Sequence, residues 1–597
     1  MMTKLLENLK PLNQTNTDTY DVVICGGGLA GLTLARQLKL NMPNISIAVL
    51  DRLSRTLPTA TFKVGESTVE FGAYYLSHTL QLENYFREHH LPKPALRFFL
   101  GNPQDSLKDR PELGSSELHE PYAYQIDRGL LENDLRNFNT VLGIKLLENC
   151  SVQDVILSDN QNLHKIVYKQ IGNQTTQTIQ TSWVVDAMGR RRFLQNKLGL
   201  AKPNNEPFSA VWFRINDRVD VNDFVPVTEE QWHSRVGKNM RYYSTNHLVG
   251  YGYWVWLIPL SSGYTSIGIV TNEDIHPLKE YHTYEKAYKW LEKHEPVLAA
   301  HLKEQQPSDF KKMPNYSYSS TQVFSLNRWA CVGEAGTFID PLYSAGTDMI
   351  GIANSFTTEI IGLDLKNQLT QGMVDYANSS FLTLNELIHW TIRLSYQIFG
   401  KNSVACVLKL IWDILIAWSI IMPPGISSVL IKPERMAKLQ NLNEEFLSLS
   451  RSVYNLLDDW SNKSLNRLSF KYIDTLGELP FVKELHERNL KPNKTDREIR
   501  DDYVASLEIL EEFAQVIFLL ALEDTMPDQL ALFPSTVWLN AWAISLDPDR
   551  WESDGLFKPQ SQPRDFTRVM QPLRKSIRLN SLVQASRTDN LQPTFCS

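Results

Sequence analysis

At 597 residues the chain is longer than one ordinary hydrophobic core organises, so two or more domains are expected. Its 43% hydrophobic and 21% charged composition is that of a soluble globular protein, and a net charge of -7 excludes a general electrostatic binder of nucleic acid or anionic lipid. Five scattered cysteines (Cys25, Cys150, Cys331, Cys406 and Cys596), free of CxxC spacing, argue against a disulfide framework or zinc site and for a reducing, cytoplasmic setting. Residues 1–18 have no long apolar run or small-residue cleavage site and read as an N-terminal extension rather than a signal peptide.

Asp21–Cys25 is a short β-favouring run that ends in Gly26, Gly28 and Gly31, followed by a helix from Leu32 and a second strand, Ser46–Leu50. In this GxGxxG arrangement the first glycine permits the turn. The second lets a diphosphate approach backbone, and the third lets helix and strand pack. The helix N-terminus then faces the phosphates, and Asp51, twenty residues past the last glycine, is placed to bind a ribose hydroxyl. The spacing predicts a dinucleotide unit.

Three later segments select the cofactor. Tyr124–Glu132, with Arg128, resembles the strand-to-helix element of FAD-dependent monooxygenases that carries an arginine beside the flavin. Trp183–Arg190 resembles their Asp-x-x-Gly segment and gives Asp186. Trp329–Ala335 resembles their second flavin-contacting segment, with Gly333 and with Glu334 where that family usually has aspartate. The resemblance implies FAD and an α/β fold: a Rossmann-type domain over 19–372, GR2-like and aromatic-hydroxylase-like, with a substrate β-sheet inserted at about 203–313. A second dinucleotide fingerprint is not visible.

Further motifs narrow the chemistry. The alternation in Trp254-Val255-Trp256-Leu257-Ile258-Pro259 predicts a strand with Trp254, Trp256 and Ile258 on one face. Phe338-Ile339-Asp340-Pro341-Leu342-Tyr343-Ser344-Ala345-Gly346 fits Phe-x-x-Pro-x-x-Ser-x-Gly, a small-residue turn whose amides suit an anion. Lys93 stands between Pro92 and Pro94, shortly before Arg97-Phe98, and Lys63-Val64-Gly65-Glu66-Ser67 forms a Gly-Glu-Ser loop. Together these resemble the signatures of flavin-dependent halogenases over about residues 20–370, nearer the phenol- and pyrrole-type branch.

That resemblance implies reduced FAD, oxygen and chloride or bromide producing hypohalous acid. The halide would sit at the backbone of Ala345, Gly346 and Thr347, beside Ser344. Trp254, Trp256, Ile258 and Pro259 would partition flavin from substrate, although Tyr253 separates Gly252 from the first tryptophan, a departure from the family pattern. Lys63, Gly65, Glu66 and Ser67 would belong to the flavin loop, and Lys93 would relay the oxidised halogen as a hydrogen-bond donor or a transient haloamine. Lys63 is the rival for that role. Tryptophan halogenases carry a glutamate where this chain has Tyr343, so an activated ring such as a phenol or pyrrole fits better than tryptophan. Tyr343 reads equally as a substrate-facing acid/base or an aromatic wall.

From Met373 the pattern turns helical, through about 558, with many tryptophans; a substrate-shaping cap, a carrier-protein dock and plain packing all fit. The apolar stretch 404–422 contains Lys409 and Asp413 at i,i+4, which suits a buried core helix over a membrane span and leaves an interfacial helix open. The polar composition after Pro559 suggests a loosely ordered tail, 559–597. His89-His90 point in different directions on a helix end and make no metal site; no metal is expected. The expected enzyme is a two-component FAD-dependent halogenase of secondary metabolism. Its partners are a flavin reductase and a small aromatic substrate, free or carrier-tethered. An FAD hydroxylase, a prenyl-chain reductase and a non-catalytic flavin module are the alternatives.

Overall fold

The computed structural model describes residues 18–58, 63–120, 123–159, 162–173 and 175–580. The expected N-terminal extension, apart from Asp18, the end of the tail and Cys596 lie outside them.

Strand Thr19–Cys25 is rich in β-branched residues, and its second half is fully buried, as a strand covered on both faces must be. It pairs in parallel with Ile47–Leu50 on one side and with the long strand Thr176–Asp186 on the other. Among the described residues the sheet is eight-stranded. Its main path runs Phe324–Ser325, Trp329–Cys331, Thr176–Asp186, Thr19–Cys25, Ile47–Leu50, Lys145–Leu147, and a hairpin of Cys150–Ile156 and His164–Gln170 branches from the long strand. The register sets Cys25 opposite Asp186 and Asp186 opposite Cys331. The turns at Gly26, Ala187 and Val332 therefore leave one sheet edge, at the carboxyl ends of parallel strands where open α/β sheets bind ligands. Helix Leu29–Asn41 packs tightly here: a Cβ on Gly31 would lie 2.0 Å from the Gly26 carbonyl oxygen.

The second sheet has the order Pro307–Met313, Phe208–Ile215, Thr265–Asn272, Tyr253–Pro259, Thr245–Gly250, Leu96–Phe99, Glu112–Gly114, Tyr472–Asp474. It is wider than the inserted segment 203–313. The edge of Thr245–Gly250 would otherwise expose unpaired backbone, and Leu96–Phe99 covers it in parallel register. Glu112 then buries its carboxylate against Arg97, Arg235 and Arg241, and Tyr472–Asp474 arrives from the helical region to pair with Glu112–Gly114.

Four long helices, Gln371–Ile398, Ser403–Ile416, Gln440–Lys463 and Asp496–Thr525, form the C-terminal region. The last begins with a capping box in which Thr495 and Glu498 satisfy each other's backbone amides. The apolar core is continuous from Val22 in the nucleotide sheet to Leu573 near the C-terminal end, so these helices share one interior with the first sheet. Ser403–Ile426 is long and apolar enough to cross a membrane by length and composition, but 72% of its most apolar window is buried inside the protein. The expectation of a loosely ordered tail does not hold for Thr567–Ser576, which is a helix. Val569, Leu573 and Ile577 recur every fourth position and are fully buried, a periodicity that the polar composition conceals.

Candidate functional site

Two chambers meet at the turn before helix Gly346–Leu365. The first, of about 970 Å³, is bounded by the loop 64–67, Arg128, Glu334 and the strand bearing Trp254 and Trp256. The second, of about 1280 Å³, is bounded by Lys93, Tyr343, Asp348 and the helical region.

The nucleotide end is built by Gly26, Gly28 and Gly31. Gly26 has φ +120°, and a Cβ on it would fall 2.2 Å from the Ala187 carbonyl oxygen. Helix Leu29–Asn41 has no side-chain cap, and a Cβ on Gly28 would find nothing nearer than the Lys63 Nζ at 4.0 Å, so its amides face open space. Leu29, Gly333, Glu334 and Ile350 continue this opening into the first chamber, and Arg128 keeps a buried Nε without a partner. These residues fit an FAD, with its diphosphate at the helix N-terminus and a ring system in the first chamber. Asp51 stands over Gly27, and its carboxylate is held by Arg136 and by the Leu53 amide at 3.3 Å.

Asp186 does not offer its carboxylate to a ligand. It is fully buried and accepts the Met188 and Leu194 amides at 2.9 and 2.8 Å, so it shapes the turn after its strand; burial pushes it up to about 6. Glu334 lines the first chamber, and burial raises its carboxyl above the ordinary value against the pull of Arg190 and Arg128.

The loop carrying Gly65, Glu66 and Ser67 is held from two sides. Arg128 donates to the Val64 carbonyl at 2.6 Å, and Arg214, from the second sheet, donates to Glu66 Oε1 at 2.9 Å and to the Lys63 carbonyl at 2.8 Å. Burial raises the Glu66 carboxyl, and Arg214 opposes that rise. Lys63 bonds to Glu132, whose other oxygen takes Arg128 at 2.7 Å. Burial opposes ionisation of Glu132, but Arg128 and Lys63 hold it below the ordinary value. Lys63 is thus engaged at the nucleotide end.

Lys93 occupies the wall between the chambers. It ends the strand Leu91–Lys93, paired with Ala123–Gln125, and is 4% exposed. Its Nζ donates to Ser67 Oγ at 3.0 Å, and that oxygen also lies 3.0 Å from Ser344 Oγ and 2.7 Å from Thr245 Oγ1. Ser67, Thr245 and Ser344 face the first chamber, Lys93 the second. Burial lowers Lys93 to about 8, against Glu70 and Asp348, which favour its charged form. Asp348 accepts the Gly72 amide at 2.7 Å and is pushed by burial up to about 8.

Ser344 has φ +58°, in the left-handed region, and turns the chain into the 20-residue helix Gly346–Leu365, which also lacks a side-chain cap. Its positive end lies at the expected halide turn. Gly346 is exposed and, with Thr347, lines the first chamber; Ala345 lines the second. Trp254, Trp256 and Ile258 share the face toward the first chamber. Pro259 is not with them: the period of two sends Val255, Leu257 and Pro259 to the opposite face, and Pro259 pairs with Thr265 at the strand end.

Tyr343 faces the second chamber with its hydroxyl bonded to Asp413 and 3.0 Å from Ser395 Oγ. Its neighbours Asp413, Tyr454 and Ser395, with Arg214, Thr245, His247 and Asp348, carry no motif that marks them in the sequence; only the i,i+4 spacing of Lys409 and Asp413 was visible. His247 donates from Nδ1 to the Arg97 carbonyl at 3.1 Å, and burial lowers it to about 3, so a neutral imidazole lines the first chamber.

The tryptophan halogenase family model matches residues 71–403. The chain is 30% identical over 375 residues to the flavin-dependent halogenase chlA of Dictyostelium discoideum, covering 58% of this chain and 61% of that protein, so it spans about three-fifths of that relative's length. It is 26% identical over 396 residues to a 1H-pyrrole-2-carbonyl (peptidyl-carrier protein) chlorinase of Pseudomonas fluorescens, covering 63% of this chain and 82% of the relative. Halogenase PltM, solved with phloroglucinol and FAD, shares the fold at a TM-score of 0.59 and 15% identity, covering 83% of this chain and 96% of its own. The match over more than half the length, which takes in Lys93, Thr245 and Ser344 of the wall between the two chambers, places the chain in the tryptophan halogenase family.

Proposed function

We propose that the protein halogenates an electron-rich aromatic, phenol- or pyrrole-like, in secondary-metabolite biosynthesis, with reduced FAD delivered by a separate flavin reductase. When bound, the cofactor would supply, with oxygen, the two-electron oxidation of chloride or bromide to hypohalous acid. The observation that carries this reading is the position of Lys93: a buried cation hydrogen-bonded to a hydroxyl of one chamber and opening into the other.

In this reading the halide sits at the amides of Ala345, Gly346 and Thr347, where the helix end favours an anion. Ser67 and Ser344 order the passage between the chambers, and Trp254, Trp256 and Ile258 keep the organic substrate away from the oxidant. Lys93 presents hypohalous acid to the ring, and burial brings enough neutral amine near pH 8 for either donation or halogen capture. One relative is named for a peptidyl-carrier substrate, which supports a carrier-tethered ring beside a free one.

The test is a reductase-coupled reaction with chloride or bromide and a panel of phenols, pyrroles and indoles, read by mass spectrometry. Halogen isotope patterns in the product are expected. Hydroxylated products without halogen would overturn the reading.

A further inference from the structure

Helix Ser403–Ile416 is almost wholly apolar, yet it buries an ion pair, Lys409 Nζ to Asp413 Oδ2 at 2.7 Å, beside the second chamber. Such a pair is seldom kept for stability, because desolvating two charges offsets their attraction. Its geometry has a chemical consequence. Asp413 Oδ2 accepts from Lys409 and from the Tyr343 hydroxyl, and Oδ1 accepts from the Tyr454 hydroxyl at 2.6 Å. The three N–H groups of Lys409 go to Asp413, to Ser395 Oγ at 2.8 Å and to the Thr391 carbonyl at 2.9 Å. The Ser395 hydroxyl, 3.0 Å from the Tyr343 oxygen, has the Thr391 carbonyl at 3.4 Å for its own proton, and the Tyr343 proton is committed to Asp413. With its proton given to Asp413 the Tyr343 oxygen keeps acceptor capacity, and the residue lines the chamber into which Lys93 also opens.

We propose that Tyr343, polarised onto Asp413, is an acceptor-only substrate subsite that selects and orients aromatic rings carrying an O–H or N–H donor. This rests on the halogenase reading for its place in the reaction, and it goes beyond that reading by assigning the recognition to a particular oxygen. A ring donor bonded to Tyr343 is fixed within the chamber that Lys93 faces. A carboxylate finds no proton there and meets the charge of Asp413. An O- or N-methylated ring leaves the buried oxygen without a partner, which weakens binding by more than the lost contact alone. Asp413 and Lys409 act through Tyr343 and are positioning residues.

The experiment measures equilibrium binding to the full-length, FAD-loaded protein by calorimetry, with resorcinol against 1,3-dimethoxybenzene and pyrrole against N-methylpyrrole. The wild type is expected to bind at least one donor ligand about three- to tenfold more tightly than its methylated partner. Discrimination in a single pair assigns the subsite to that donor. In Tyr343→Phe the preference is expected to vanish while the melting temperature stays close to wild type. Asp413→Asn, whose amide can donate and so release the tyrosine proton outward, is expected to reduce it. Preference retained unchanged in Tyr343→Phe, or absent from both pairs in the wild type, overturns the proposal. Binding needs no halogen transfer, so failure to detect a halogenated product bears on the activity alone.

Discussion

Arg214 Nε donates to Glu66 Oε1 at 2.9 Å, and both side chains are buried, so one arginine of the second sheet ties down the loop that carries Ser67. A further oxygen, Asp309 Oδ2, takes Arg214 NH1 at 2.7 Å. Removing this arginine leaves Glu66 buried and uncompensated. Arg214→Met is expected to destabilise the protein by about 3–5 kcal/mol in urea denaturation. Adding Glu66→Gln should recover part of that loss, because a neutral amide costs less to bury. No recovery in the double variant would mean that Arg214 acts through packing alone.

Lys93→Met is expected to abolish halogenated product while flavin binding, followed by absorbance, stays within about twofold, because Lys93 faces the second chamber and the nucleotide end lies on the first. A halogen isotope pattern that survives in this variant removes Lys93 from the proposed relay.

The same variant has a pH signature. Burial depresses Lys93 from 10.5 to about 8 in the folded protein, with Glu70 and Asp348 opposing the shift. Between those values the unfolded chain binds more protons than the folded one, so this group makes stability rise with pH. Its penalty is fully present below pH 8 and gone above 10.5. Lys93→Met is therefore expected to be more stable than the wild type by on the order of 3 kcal/mol at pH 7, with the gain shrinking toward pH 10. Urea titrations at the two pH values check it, and a gain that does not change with pH contradicts the assignment.

Ser67 Oγ joins Lys93, Ser344 and Thr245. Ser67→Ala leaves a buried ammonium without that acceptor, at a cost of about 1–3 kcal/mol. The expected outcome is a fall in kcat of about tenfold or more with a smaller change in the KM for the aromatic substrate. A change in KM alone would place Ser67 in substrate binding rather than in the passage between the chambers.

Gly268 lies across from Trp256 on the neighbouring strand, and a Cβ there would fall 2.2 Å from the indole ring. Gly268→Ala should displace Trp256, destabilise the protein by about 1–3 kcal/mol and open the face that lines the first chamber. Quenching of tryptophan fluorescence by acrylamide is expected to increase; unchanged quenching would show that the ring is not seated on that glycine.

The motifs that were legible are those in which backbone conformation or local period dictates residue type. Gly26, Gly28 and Gly31 were readable because a turn and a close helix contact admit no Cβ, and Trp254, Trp256 and Ile258 because a strand alternates. The helix of the tail was missed because three apolar residues, Val569, Leu573 and Ile577, were outweighed by polar neighbours. Asp186 was legible as a motif residue, but only its amide partners at Met188 and Leu194 show that it serves the turn.

By itself the sequence determined the family, the nucleotide turn, the small-residue loop at 344–346 and the choice of Lys93 over Lys63 as the candidate relay. Only the tertiary structure decided which chamber each of these faces. Ser67, Lys93, Thr245 and Ser344 lie far apart along the chain and meet because two sheets and a helix terminus converge on one wall. It also decided what the Tyr343 hydroxyl bonds to. Asp413 is 70 positions away on helix Ser403–Ile416, and its contact depends on packing that no local period encodes. Local rules fix backbone and pattern; the destination of a buried proton is fixed by whichever partner the folded core brings within hydrogen-bond reach.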